Sequence, residues 1–340
     1  LRRRRPGWGR FKEGWLQLSQ VYAPVKLDLI KVESQLSSVS QVDFPHLAKL
    51  LSYTLSGGKG IRPALTLLSG KFYQYKLDQL LPMATSVELM HTATLVHDDA
   101  IDNSSTRRGR ATINRLWGDD RAVLLGDYLF AKAGEFAALT GNLRVIRLFA
   151  QTLQIISSGE LAQTFDAFNL KQSRQHYLKR ISSKTASLFS LATESGAILS
   201  QAPEESVEIL REYGYNLGIA FQIVDDILDF TGTEKEMGKP IGSDLAQGTL
   251  TLPAMLLLKH HPKDNPVAEL FKNRDMAEAE KQKRIKEALD LVRSSGVAKE
   301  CHQFAADYCH KACRRLELLP DKPSRQSLRN LADLVISRKK

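Results

Sequence analysis

The chain has 340 residues, 43% hydrophobic, 7% aromatic and 25% charged, so it can bury a sizeable core and is not a disordered polymer. No stretch approaches eighteen uninterrupted apolar residues, which excludes a predicted transmembrane helix, and three clustered cysteines (Cys301, Cys309, Cys313) exclude a disulfide framework and fit a reducing, cytoplasmic setting. The net charge of +10 admits anionic partners, but no nucleic-acid module is readable, so nucleic acid is not an expected partner.

Taken in chain order, Arg2, Arg3, Arg4 and Arg5 open the sequence without an apolar h-region, so the start is no secretory signal. Residues 1–20 are expected to be a disordered basic leader and 21–340 a single all-α domain. Gly57-Gly58-Lys59-Gly60-Ile61-Arg62-Pro63 predicts a glycine-rich turn that feeds two cations into the start of a helix, an arrangement suited to an anion. Apolar residues at three- and four-residue spacing then predict helices over 80–103, 120–140, 143–168, 184–200 and 205–230. Pro82 is placed near the start of the first of these, where a missing N–H costs little, and Lys184-Thr185 is read as opening the fourth. A second glycine cluster, Gly232 to Gly248, carries Lys239. Alternating strand patterns and Pro- or Ser-rich linkers are absent, so the expected architecture is one large helical bundle with a central apolar cavity.

Two segments echo each other. His97-Asp98-Asp99-Ala100-Ile101-Asp102 and Val224-Asp225-Asp226-Ile227-Leu228-Asp229 share Asp-Asp-x-x-Asp, each at the C-terminal end of an apolar helical run. Residues i and i+4 share a helix face, so Asp98 pairs with Asp102 and Asp225 with Asp229, while Asp99 and Asp226 flank them. Three carboxylates this close repel unless cations intervene. They also sit at helix ends whose dipole disfavours negative charge, so a merely solvated acidic end fits poorly. Hard oxygen ligands suit magnesium held by carboxylates, waters and substrate phosphates. Arg107 and Arg108 follow the first cluster, and guanidinium forks suit phosphate oxygens. Cys309 and Cys313, with His302 and His310 near, match no zinc spacing and read as helix-packing positions.

In these motifs the sequence resembles the trans-isoprenyl diphosphate synthases, the polyprenyl synthetase family, over roughly residues 45–340. The residues that carry the resemblance are 57–63, the Glu88-to-Arg108 stretch ending Thr106-Arg107-Arg108-Gly109, Lys184-Thr185, Phe221-Gln222-Ile223-Val224-Asp225-Asp226-x-x-Asp229 and Gly238-Lys239-Pro240-Ile241-Gly242-Ser243-Asp244-Leu245. The resemblance implies the isoprenoid synthase fold and the condensation of an allylic diphosphate with isopentenyl diphosphate. It implies Asp98, Asp102 and Asp225 as the main magnesium ligands, with Asp99, Asp226 and Asp229 in support. Three magnesium ions per site are expected, with manganese able to substitute. It implies that Lys59, Arg62, His91 and Arg108 hold isopentenyl diphosphate, and that Arg107, Lys184, Thr185, Gln222 and Lys239 hold the allylic diphosphate. His91 on its own reads as a core histidine; its place in the motif moves it to the substrate. Two positions depart from the family pattern: Gly60 and Thr249 stand where basic residues are usual, which puts the strength of diphosphate binding in question.

Product length is expected to follow the helix before the first aspartates. Thr94, Ala93, Met90 and Val87 lie four, five, eight and eleven residues before Asp98, roughly 6 to 16 Å of depth at about 1.5 Å per residue. None is aromatic, unlike the short-chain relatives, so His91-Thr92-Ala93-Thr94-Leu95 resembles the long-chain polyprenyl synthases. The alternatives are a farnesyl or geranylgeranyl synthase and, from another class, a regulatory subunit of a heteromeric synthase. Two aspartate motifs plus the Lys59/Arg62 site argue against a terpene cyclase. A homodimer, and a peripheral membrane contact for product release, complete the expectation.

Overall fold

The structure is a computed structural model describing residues 18–234, 238 and 240–338. Of the expected leader, 1–17 fall outside the described residues, while 18–20 are helical and Leu18 is buried. The described chain is all-α apart from one tight hairpin, β1 (Thr106–Arg107) against β2 (Arg110–Ala111). Among the described residues no helix is long and apolar enough to cross a membrane.

The helices, in order, are α1 (Lys26–Ser38), α2 (Pro45–Thr54), α3 (Ile61–Gly70), α4 (Leu77–Ile101), α5 (Ile113–Trp117), α6 (Asp119–Ala138), α7 (Leu143–Phe165), α8 (Arg174–Ile181), α9 (Ser187–Leu199) and α10 (Glu204–Thr231). After the glycine-rich segment come α11 (Ser243–Ala246), α12 (Leu252–His260), α13 (Pro266–Lys272), α14 (Glu278–Ser294), α15 (Val297–Cys313) and α16 (Pro323–Ile336). The two longest, α4 and α10, are buried over most of their length and anchor the bundle. Helix α4 packs chiefly on α6, α10 on α9 and α15, and α9 on α3. Small residues set these distances. A Cβ on Gly196 would fall 2.2 Å from the Thr66 carbonyl oxygen, and one on Gly218 would fall 2.6 Å from the Ala186 Cα. Backbones therefore touch where α9 meets α3 and where α10 meets the start of α9, and a methyl at either glycine would overpack the core. Cys301 and Cys309 are buried in α15 and Cys313 is half-buried, as packing positions should be.

Two expectations need correction. Pro82 is not in the first turn: α4 begins at Leu77, so the proline sits inside the helix, where it deprives the Asp78 carbonyl of its amide partner. Packing of Leu80 against Gly70 carries the helix backwards past the proline. Nor does Lys184-Thr185 open a helix. Helix α8 starts at a capping box, with Ser173 accepting from the His176 amide, and runs through a π-helical turn, Ser182–Ala186, directly into α9. A π turn adds one residue without breaking the rod, and apolar spacing alone cannot show it.

Candidate active site

The last turn of α4 carries Asp98 and Asp99, and Asp102 caps it. Asp99 is buried and gripped by Arg107 from β1, whose Nε donates to both oxygens at 2.8 and 2.9 Å. Burial, together with Asp98 and Asp102, pushes the Asp99 carboxyl up to about 6 against the pull of Arg107. Burial raises Asp102 as well, with Asp98 and Asp244 adding to it and Lys184 opposing. Burial is the leading cause of both shifts, the nearest cation opposes it, and the neighbouring carboxylates add to it.

Lys184 comes from the π turn. Its Nζ lies 3.2 Å from Asp98 and 2.8 Å from Glu160 of α7. Burial disfavours its charge, but Asp98 and Glu160 outweigh that, and the ammonium is held more firmly than usual. Its neighbour Thr185 donates to Gln222 at 2.6 Å, and Gln222 donates to Asp226 at 2.8 Å. Tyr177 of α8 donates to the other Asp226 oxygen at 2.8 Å. Burial pushes Asp226 up to about 8, with Asp244 adding to the rise and the two hydrogen bonds opposing it.

The three aspartates of α10 therefore differ. Asp226 is tied to Tyr177 and Gln222. Asp229 accepts from Ser243 Oγ at 2.9 Å and the Asp244 amide at 3.2 Å, and so holds the glycine-rich loop. Asp225 is 34% exposed and pairs with Arg338 at 3.3 Å, whose guanidinium also lies 4.7 Å from the Phe221 ring centroid. Asp244 feels both Asp102 and Asp226, so the two helix ends meet across this loop. The Gly109 amide donates to the Gly238 carbonyl at 3.1 Å, joining the segments that follow each cluster. Among the described residues no three His, Cys, Asp or Glu side chains are gathered tightly enough to hold an ion by themselves. The carboxylates instead carry the protein's own cations, and a divalent ion would need ligands from a substrate to complete its shell.

The glycine-rich turn lies beside this. Gly58, at φ 135°, sits so close to Glu88 and Arg108 that a Cβ would fall 3.3 Å from the Glu88 carboxylate. Gly60 adopts a left-handed φ of 60° just before α3, a conformation glycine takes without strain and a larger cationic residue would not. Arg62, in the first turn of α3, lies 4.8 Å over the Phe189 ring, and its buried Nε has no hydrogen-bond partner. Burial drives its guanidinium down to about 10, with Glu88 resisting and Arg108 assisting. Lys59 is pushed down to about 8, by desolvation first and then by Arg338. Desolvation, then Arg62, Arg108 and Arg107, hold His91 well below its ordinary range, so it is neutral. A buried guanidinium with an unbonded Nε, set beside Arg108 and only one nearby carboxylate, Glu88, is suited to an anion.

Val87, Met90 and Ala93 are fully enclosed on α4, and half-buried Thr94 donates to the His91 carbonyl at 2.8 Å. Lys239 lies outside the described residues. Sequence reasoning passed over Glu160, Tyr177 and Arg338, and treated Glu88 only as the edge of a motif. For Glu160 a signal existed, a Gly-Glu pair within a predicted apolar helix; for Arg338 there was none beyond its charge.

The family model for polyprenyl synthetase matches residues 44–292. The chain is 37% identical to the heptaprenyl diphosphate synthase component 2 of Geobacillus stearothermophilus over 93% of this chain and 98% of that protein. It is 36% identical to the chloroplastic solanesyl-diphosphate synthase 2 of Oryza sativa over 95% of this chain and 80% of that one. Among solved structures, the polyprenyl synthase of Caulobacter crescentus, complexed with calcium and isoprenyl diphosphate, superposes with a TM-score of 0.88 at 33% identity, covering 95% of this chain and 98% of that one.

Proposed function

The chain belongs to the polyprenyl synthetase family, and on that premise we propose that it condenses an allylic diphosphate with isopentenyl diphosphate to build a long-chain polyprenyl diphosphate. The observation that carries this reading is the meeting of the two aspartate-rich helix ends around Asp244, with Lys184 on Asp98 and Arg338 on Asp225. Carboxylates already charge-balanced by cations fit a magnesium-diphosphate complex, which can take over both the negative and the positive groups. Asp98, Asp102 and Asp225 would hold magnesium, three ions per site with manganese able to replace them, and Asp99, Asp226 and Asp229 would support them. When bound, the metal neutralises the departing diphosphate so that the allylic C–O bond can ionise.

The protein's part is to bind, orient and exclude water. Lys184, Arg107, Thr185, Gln222 and Lys239 hold the allylic diphosphate. Lys59, Arg62, His91 and Arg108 hold isopentenyl diphosphate, with Glu88 balancing their charge. A carbocation survives only where water is excluded, and both aspartate clusters cap helices whose bodies are apolar and buried. The absence of an aromatic residue at Ala93 and Thr94 favours a long product, and the heptaprenyl and solanesyl synthases among the relatives agree with it. Val123 and Leu124 on α6 and Ile155, Leu161 and Phe165 on α7 are exposed apolar side chains that would be covered in a homodimer packed through these helices. A long prenyl tail is insoluble, so release at a membrane surface from a cytoplasmic enzyme completes the reading. A second reading, that activity needs a partner subunit, is favoured by the relative named as component 2. Purified protein incubated with labelled isopentenyl diphosphate and several allylic primers tests both: a long product from this chain alone is expected. Activity appearing only with an added subunit would support the second reading, and a farnesyl or geranylgeranyl product would overturn the long-chain one.

A further inference from the structure

Among the described residues, Glu160 is the carboxylate paired with Lys184 that the two aspartate motifs do not contain. Its Oε1 lies 2.8 Å from Lys184 Nζ, and its side chain is only 19% exposed. Lys184 also reaches Asp98 at 3.2 Å, so one ammonium is shared by carboxylates from two different helices. The arrangement is built by packing. Gly159 lies against the π turn so closely that a Cβ there would fall 2.4 Å from the Ser183 Cβ, which delivers Glu160 to its neighbour Lys184.

The two carboxylates have different prospects. Asp98 stands one turn from Asp102 at the end of α4. A divalent ion on Asp98 competes with Lys184 for the same oxygens and repels the ammonium. Without a second anion, Lys184 would either leave the site or contest the metal. Glu160 supplies that anion from a different helix. We propose that Glu160 is a positioning residue, which retains Lys184 as a counter-ion so that Asp98 is freed for the metal while the ammonium stays facing the diphosphate. This rests on the reading that Asp98 is a metal ligand.

The test measures metal binding rather than turnover. Manganese is titrated into the full chain, with a non-ionisable allylic thiolodiphosphate present, and free ion is read by electron paramagnetic resonance. Glu160→Gln, nearly isosteric, should weaken manganese binding about tenfold, the scale of one charged hydrogen bond. In a Lys184→Gln background the same change should have no effect, because the competing cation is gone. Glu160→Asp, which keeps the charge, should recover most of the loss. Equal weakening in both backgrounds would make Glu160 a metal ligand or a fold element and overturn the proposal. No weakening in Glu160→Gln, or no recovery in Glu160→Asp, would overturn it too. If Asp98→Ala bound manganese as well as the unaltered protein, the metal reading would fall first and take this proposal with it.

Discussion

Replacing Arg62 by Met should separate stability from function. The guanidinium is driven well below its ordinary value, to about 10, chiefly by burial, and that difference corresponds to roughly 3 kcal/mol against the folded state. The sign follows from the charge: a cation whose folded value is lowered costs stability at every pH below about 10, and the cost fades only above it. Met removes that cost. It forfeits the cation over Phe189, worth about 0.5–2 kcal/mol, and regains about 0.3–1.5 kcal/mol from sulfur against the same ring. Glu88 keeps Arg108 as a counter-charge. The melting temperature of Arg62→Met should therefore be unchanged or higher. Binding should suffer, because one charge-assisted hydrogen bond to phosphate is lost, about 1.5–3 kcal/mol. The KM for isopentenyl diphosphate should rise roughly ten- to a hundredfold, while that for the allylic primer moves much less. Calorimetry and steady-state kinetics on the same preparation decide it. A destabilised protein with an unchanged KM would show that Arg62 is a structural cation and refute the anion-site argument.

Lys184→Ala should show the opposite pattern, a larger rise in KM for the allylic primer than for isopentenyl diphosphate; equal damage to both would undo the assignment of the two sites. Chelation with EDTA should abolish turnover, and Asp98→Ala should cut it by orders of magnitude with the circular dichroism spectrum intact; full activity in EDTA would rule out the metal. Ala93→Tyr should shorten the product under excess isopentenyl diphosphate, because overpacking a filled interior costs about 1–3 kcal/mol; chromatography showing an unchanged long product from a folded variant would mean the tail runs elsewhere.

The helices that position the site were readable because their apolar residues recur at helical spacing over long runs, as in 120–140 and 205–230, which the structure gives as Asp119–Ala138 and Glu204–Thr231. The glycine-rich turn was readable because Gly57, Gly58 and Gly60 cluster just where the α3 pattern begins, and Gly60 does take a left-handed φ there. What stayed hidden depends on contacts between distant residues. The sequence separates Asp225, Asp226 and Asp229 by helix face and motif, but their partners, Arg338 for Asp225, Tyr177 and Gln222 for Asp226, and Ser243 for Asp229, come only from the fold. Arg338 is one cation among many in the sequence, and only the fold, by bringing the residue just past α16 to Asp225, singles it out. The offset at Lys184 was invisible because a π turn leaves the composition of a helix unchanged.

That turn also fixes the register of the rod that contains it. Residues 174–199 form one continuous helical rod whose halves are out of step by a single residue. Tyr177, before the slip, reports on Asp226, and Thr185, within it, reports on Gln222, which itself holds Asp226. Removing one residue from 182–186 would splice the halves in ordinary phase and turn one relative to the other by about 100°. Either the tyrosine or the threonine would then swing away from its partner. The two hydrogen bonds thus act as register marks, and a relative that keeps both must keep the odd residue between them. In an alignment, a one-residue gap at this point marks a chain whose second aspartate cluster is held in some other way.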